Sequence, residues 1–137
     1  MFQPPIDGKP GPASAPVKVF RSFGYAFKGI ASAIKSQLNV RVHLCFSVAT
    51  TILGLILGLS ATEWFCIILC FALVLSAELM NSAIETLTDL VSPEYNAKAG
   101  QVKDIAAGAV MIMAIFALGT GSVIILPKLI TLIFHAA

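Results

Sequence analysis

The chain has 137 residues, 58% of them hydrophobic and only 12% charged, with a mean hydropathy of +0.91. A soluble domain carries about twice that charge fraction, so the composition excludes a soluble globular enzyme, a disordered regulator and a secreted disulfide scaffold. The net charge of +2 is too small to suggest a nucleic-acid partner.

Residues 1–16 hold five of the seven prolines and lack an apolar core. They read as a disordered tail rather than a cleavable signal peptide. From Val17 to about Ser36 the pattern turns helical. Phe20, Phe23, Phe27, Ile30 and Ile34 recur at alternating steps of three and four and share one narrow face, with Lys18, Arg21, Lys28 and Lys35 on the other side. A basic amphipathic helix with aromatics on its apolar side lies in the membrane interface rather than crossing it.

Three apolar stretches follow, each long enough to cross a bilayer. The first covers about 42–59 and contains Gly54 and Gly58, a spacing that permits close helix packing. A short turn, 60–63, offers Thr62 as a helix N-cap. The second stretch covers about 64–89. It opens on Trp64, an interfacial anchor type, stays apolar to Ala77, and then becomes polar. Ser92-Pro93 ends it, because the residue before proline avoids the helical region. After a polar connector, the third covers about 103–126, where Pro127 and Lys128 close it or begin a short kinked extension. The fold class is therefore an all-α membrane protein, an N-terminal amphipathic surface helix plus three transmembrane helices, in one domain over 17–137.

Cations set the orientation. Lys9, Lys18, Arg21, Lys28, Lys35 and Arg41 precede the first span, and the 60–63 turn has none. Lys98 and Lys103 stand between the second and third spans, and Lys128 alone follows the third. The positive-inside rule places the N-terminus and the 86–104 loop in the cytoplasm, for a multi-pass membrane protein. Cys45, Cys66 and Cys70 fall inside apolar runs and read as small buried hydrophobes.

The informative stretch is ELMNSAIETLTD, 78–89. Steps of three, four and four put Glu78, Asn81, Glu85 and Asp89 along one side of a helix. Ionisable groups near membrane depth are costly and mark function by default. A polar stripe that only hydrogen-bonds neighbouring helices is the plain alternative, strongest for Asn81. Two buried carboxylates need protons, cations or a metal to persist. Glu78 and Glu85 stand about 10 Å apart along the axis, too far to share one ion, so they divide the work. Glu85, nearer the cytoplasm, suits a Mg²⁺ that also binds nucleotide phosphates. Glu78, deeper, suits a general base on a lipid hydroxyl, and Asn81 between them can orient the acceptor or a phosphate. Lys103-Asp104 opens the third span. The ammonium could neutralise a transferring phosphoryl group or serve as a snorkelling anchor. The small residues Ala106, Ala107, Gly108 and Ala109 allow helices to approach. The chain has no phosphate loop of the soluble NTPases and no dinucleotide fingerprint.

ELMNSAIETLTD with SPEYN (92–96), AGQVKDIAAGAV (99–110), FRSFGYAFKGI (20–30) and NVRVHL (39–44) resembles the small prokaryotic integral-membrane lipid kinases, the diacylglycerol and undecaprenol kinases. The likeness covers about residues 17–127. It implies a homotrimer that phosphorylates a membrane lipid alcohol with ATP and Mg²⁺. It also implies that Glu78 is the general base and Asn81 an active-site residue, and that Glu85 binds metal. Lys103 and Asp104 would contact nucleotide, with Lys18, Tyr25, Glu94, Tyr95 and Asn96 at further nucleotide-contacting positions. One departure stands out. Where the family typically has a metal-ligating Glu, this chain has Gln37. A carboxamide oxygen can still ligate Mg²⁺ but removes one negative charge. Diacylglycerol and undecaprenol both remain open as acceptor. So do a catalytically weakened or silent lipid- or nucleotide-binding relative and a nonenzymatic membrane conduit lined by Glu78 and Glu85.

Overall fold

The computed structural model describes residues 15–135. The tail expected over 1–16 lies almost wholly outside them. The described residues form four helices and no strand: α1 (Ala15–Ser36), α2 (Leu38–Ile56), α3 (Ala61–Val91) and α4 (Ala97–His135). The all-α class and three helices long and apolar enough to cross a membrane follow directly.

The chain divides into two units, one ending at Ser32 and one starting at Ala33. In the first, α1 carries Phe20, Phe23 and Phe27 exposed, the stripe that the three-and-four spacing anticipates. Lys35 stands in the last turn of α1, where the helix dipole favours a cation. The helix stops at Gln37, whose backbone turns extended at φ −104°, ψ 119° while its N–H still donates to Ala33 O at 2.8 Å.

In the second unit α3 is the central helix. A third of its span (33%) is buried, against 11% for α2 and 6% for α4. Its inward face carries Ile67, Cys70, Val74, Glu78, Asn81 and Ser82. From α4 the small Ala106 and the Val110 side chain meet it, so small residues do permit the approach, although Ala107 and Ala109 face outward. Of the two glycines in the first span, Gly54 is the packing position. A Cβ there would lie 2.9 Å from the Trp64 ring. Gly58 instead holds φ +62° in open space, ending α2 in a left-handed turn that glycine adopts without a Cβ penalty. Trp64 is thus wedged against α2.

The expected N-cap at Thr62 is corrected to Ser60. Ser60 Oγ accepts from Glu63 N at 3.4 Å, and Glu63 Oε2 accepts from Ser60 N at 2.7 Å, a reciprocal capping box. The same Glu63 oxygen meets Lys128 Nζ at 3.2 Å. At the other end of the hairpin Lys103 Nζ donates to Asp89 Oδ1 at 2.5 Å. The α3–α4 pair is therefore tied by an ion pair at both ends, about 38 Å apart at 1.5 Å of rise per residue. That approaches the 40–45 Å of a bilayer with its polar regions. The helix continues through Pro127 and Lys128 to His135, so the extension is helical.

Candidate active site

The inward face of α3 changes character along its length. From Ile67 through Cys70 and Val74 it is apolar; Glu78, Asn81, Ser82 and Glu85 continue the same stripe at helical spacing. Glu78 is 2% exposed and Asn81 4%. Glu85 is half-buried and Asp89 exposed, so the carboxylates are graded from interior to surface along one helix.

Asn81 engages one of them. Its Nδ2 donates to Glu85 Oε1 at 3.0 Å. A carboxylate can only accept, so the amide nitrogen must face Glu85 and the carbonyl oxygen must turn away. That oxygen, Asn81 Oδ1, is buried and has no hydrogen-bond partner in the protein. Orphaned buried acceptors cost about 1–3 kcal/mol and call for a ligand to satisfy them. Ser82, which the sequence reading passed over, is buried beside them with its Oγ donating to Glu78 O at 2.9 Å. Its position one turn after Glu78 was the available signal.

The α3–α4 turn gathers the remaining candidates of this unit. Glu94, Tyr95 and Asn96 are exposed, Tyr95 at 99%. Asn96 has a structural duty. Its Oδ1 accepts from Lys98 N at 2.9 Å and Ala99 N at 3.4 Å and so caps α4. Lys103 is half-buried and turned to Asp89, while its neighbour Asp104 is exposed; adjacent helix residues point about 100° apart. Gln37, half-buried at the start of α2, makes no side-chain cap bond. Lys18 and Tyr25 are exposed on α1 in the first unit.

The donors suit a hard cation in part. Mg²⁺ takes oxygen ligands and is bound through one or two carboxylates plus substrate phosphates. Glu85, the unsatisfied Asn81 Oδ1 and the Gln37 amide are all oxygen donors. Among the described residues no three His, Cys, Asp or Glu side chains gather, so phosphates would have to complete the coordination.

An apolar cavity of about 430 Å³ runs between α2, α3 and α4, within the size of small-molecule sites. Ile67, Cys70 and Val74 line it from α3, and His43 and Ser47 from α2. Glu78 lies one turn beyond Val74 on that same face.

A buried carboxylate one helical turn beyond an apolar cavity, in a chain with three helices long and apolar enough to cross a membrane, points to a membrane enzyme, and sequence comparison gives its class. The chain matches the prokaryotic diacylglycerol kinase family over residues 24–125, and it belongs to that family of lipid kinases. It is similar to the undecaprenol kinase of Bacillus subtilis, 37% identical over 112 residues that cover 82% of this chain and 91% of the relative. It is 38% identical over 112 residues to a diacylglycerol kinase of Synechocystis, covering 81% of this chain and 64% of that protein. The diacylglycerol kinase of Escherichia coli K12 is 27% identical over 108 residues.

Proposed function

We propose that the chain transfers the γ-phosphoryl group of ATP to the hydroxyl of a membrane lipid alcohol, diacylglycerol or undecaprenol, at the cytoplasmic face of a bacterial inner membrane. The carrying observation is the pairing of a fully buried Glu78 with Asn81, whose buried carbonyl oxygen lacks a partner. A lipid hydroxyl is a donor that would satisfy that oxygen. The acceptor's apolar body would occupy the cavity along α3, with its head at Glu78.

Glu78 then accepts the hydroxyl proton as the lipid oxygen attacks the γ-phosphorus and the bond to the β–γ bridging oxygen breaks, releasing ADP. Before transfer the hydroxyl proton rests on Asn81 Oδ1, and it swings to Glu78 for the transfer step, while Asn81 Nδ2 holds Glu85 in place. Glu85, with Gln37, would hold Mg²⁺, which supplies charge neutralisation on the donor phosphates. Lys103 provides a positive charge for the phosphates, near Asp104 and the exposed 94–96 segment. By resemblance Lys18 and Tyr25 also serve the nucleotide, and the working assembly is a homotrimer. The widely exposed apolar surfaces of α2 and α4 leave room for lipid or for other copies.

The deciding measurement is transfer of label from γ-labelled ATP to diacylglycerol and to undecaprenol, side by side, in bilayers reconstituted with the full chain. Transfer to at least one, abolished in Glu78→Gln, is the expected result. Nucleotide binding without transfer to either would mark a silent relative and overturn the kinase reading.

A further inference from the structure

Lys103 was expected to work beside Asp104, its neighbour in sequence. In the structure its ammonium is held by Asp89, on the other helix of the hairpin, at 2.5 Å. Asp89 occupies the position one turn after Glu85 on the same face of α3, where side chains four residues apart are neighbours, about 5–6 Å between Cβ atoms. Lys103 Nζ is thus held, from a different helix, on the residue one turn beyond Glu85. As a stability device this contact is weak. Asp89 is 66% exposed and Lys103 35%, and exposed pairs contribute about 0–1 kcal/mol. Its geometry is the informative part. A lysine stem carries about 2 kcal/mol of rotamer entropy, and any ligand that captures an unrestrained ammonium must first order it. A carboxylate that already holds the ammonium one turn beyond Glu85 removes most of that cost.

We propose that Asp89 is a positioning residue for the phosphate donor. It keeps Lys103 Nζ at the end of α3, one turn beyond Glu85, so that the ammonium meets the phosphates of a nucleoside triphosphate without a prior search. Asp89 touches neither the phosphates nor the lipid; it acts through Lys103. The proposal rests on the kinase reading for the identity of the donor. It differs from a purely structural role in what it leaves untouched, namely the handling of the lipid and the turnover rate at saturation.

The test uses the full chain in reconstituted bilayers. In Asp89→Asn the KM for MgATP should rise about threefold to fivefold, the scale of an exposed ion pair, with kcat and the lipid KM changed less than about twofold. Asp89→Glu should restore most of the lost KM. In Lys103→Met the further change Asp89→Asn should add nothing, since nothing is left to position. Equilibrium binding of a non-hydrolysable MgATP analogue gives a readout independent of turnover, with affinity about threefold to fivefold weaker in Asp89→Asn. An unchanged KM and affinity in Asp89→Asn would overturn the proposal. So would an equal loss in kcat and lipid KM, or a full additional loss on the Lys103→Met background. If the wild-type chain binds the analogue but transfers no phosphate, the kinase reading fails while the binding comparison still decides the role of Asp89. A wild-type chain that binds no nucleotide overturns both.

Discussion

At the scale of single residues, Asn81 and Gln37 carry the sharpest expectations. Asn81 uses its amide nitrogen on Glu85 and leaves its oxygen unsatisfied in a buried place. Asn81→Asp would put a carboxylate directly against Glu85, where like charges repel, whereas Asn81→Leu removes the donor and acceptor together. The change removes the orphaned oxygen but also takes the Nδ2 donor from half-buried Glu85, two opposite effects of about 1–3 kcal/mol that largely offset. Asn81→Leu should therefore leave the fold's resistance to denaturant within about 1 kcal/mol while transfer falls at least about a hundredfold. A comparable loss of both would make Asn81 a packing residue. Gln37 is the place where charge is missing. Gln37→Glu should lower the Mg²⁺ concentration for half-maximal transfer by several-fold, since ligand charge count tunes affinity for hard cations. Titration of activity against free Mg²⁺ checks this, and an unchanged midpoint would place residue 37 away from the ion.

At the scale of elements, the sequence made the helices legible and left their partners hidden. Three apolar runs, the Ser92-Pro93 stop and the aromatic stripe of α1 are local signals, and each corresponds to an observed feature. The stripe of Glu78, Asn81 and Glu85 was visible because helical spacing fixes which residues share a face. What periodicity cannot show is contact between helices. Asp89 could not be matched to Lys103, nor Glu63 to Lys128, because each pair joins residues on different elements. The two glycines of α2 were separable only by environment, one against Trp64 and one at positive φ. Gly54→Leu should destabilise the chain by about 1–3 kcal/mol through overpacking against the indole. Gly58→Ala should cost about 1–2 kcal/mol through its left-handed backbone alone. Unfolding in mixed micelles measures both, and a neutral Gly54→Leu would mean that α2 simply swings away from Trp64.

At the scale of the whole molecule, depth is the governing quantity. With the two ion pairs placed evenly about a hydrocarbon core of about 30 Å, Glu78 lies near mid-depth, since it stands about 16 Å along the axis from Asp89. A lipid hydroxyl reaches that level more easily if the chain rides outward. The apolar extension of α4 favours such a shift, because Ile130, Ile133 and Phe134 are exposed beyond Lys128 and gain by immersion. Truncation after Lys128 should therefore reduce transfer in bilayers of ordinary thickness and recover part of it in thinner ones. A truncated chain with the same dependence on lipid chain length as the full one would dismiss the extension as a depth-setting element.

The Glu63–Lys128 bond also bears on biogenesis. In the proposed orientation both side chains must be carried through the hydrocarbon before they reach the far side, and a lone charge at the centre of a bilayer is costly, about 2.5–3.5 kcal/mol on insertion scales. Folded back as a hairpin, α3 and α4 would make that crossing with opposite charges cancelling, so the two helices should enter the membrane together and not one after the other.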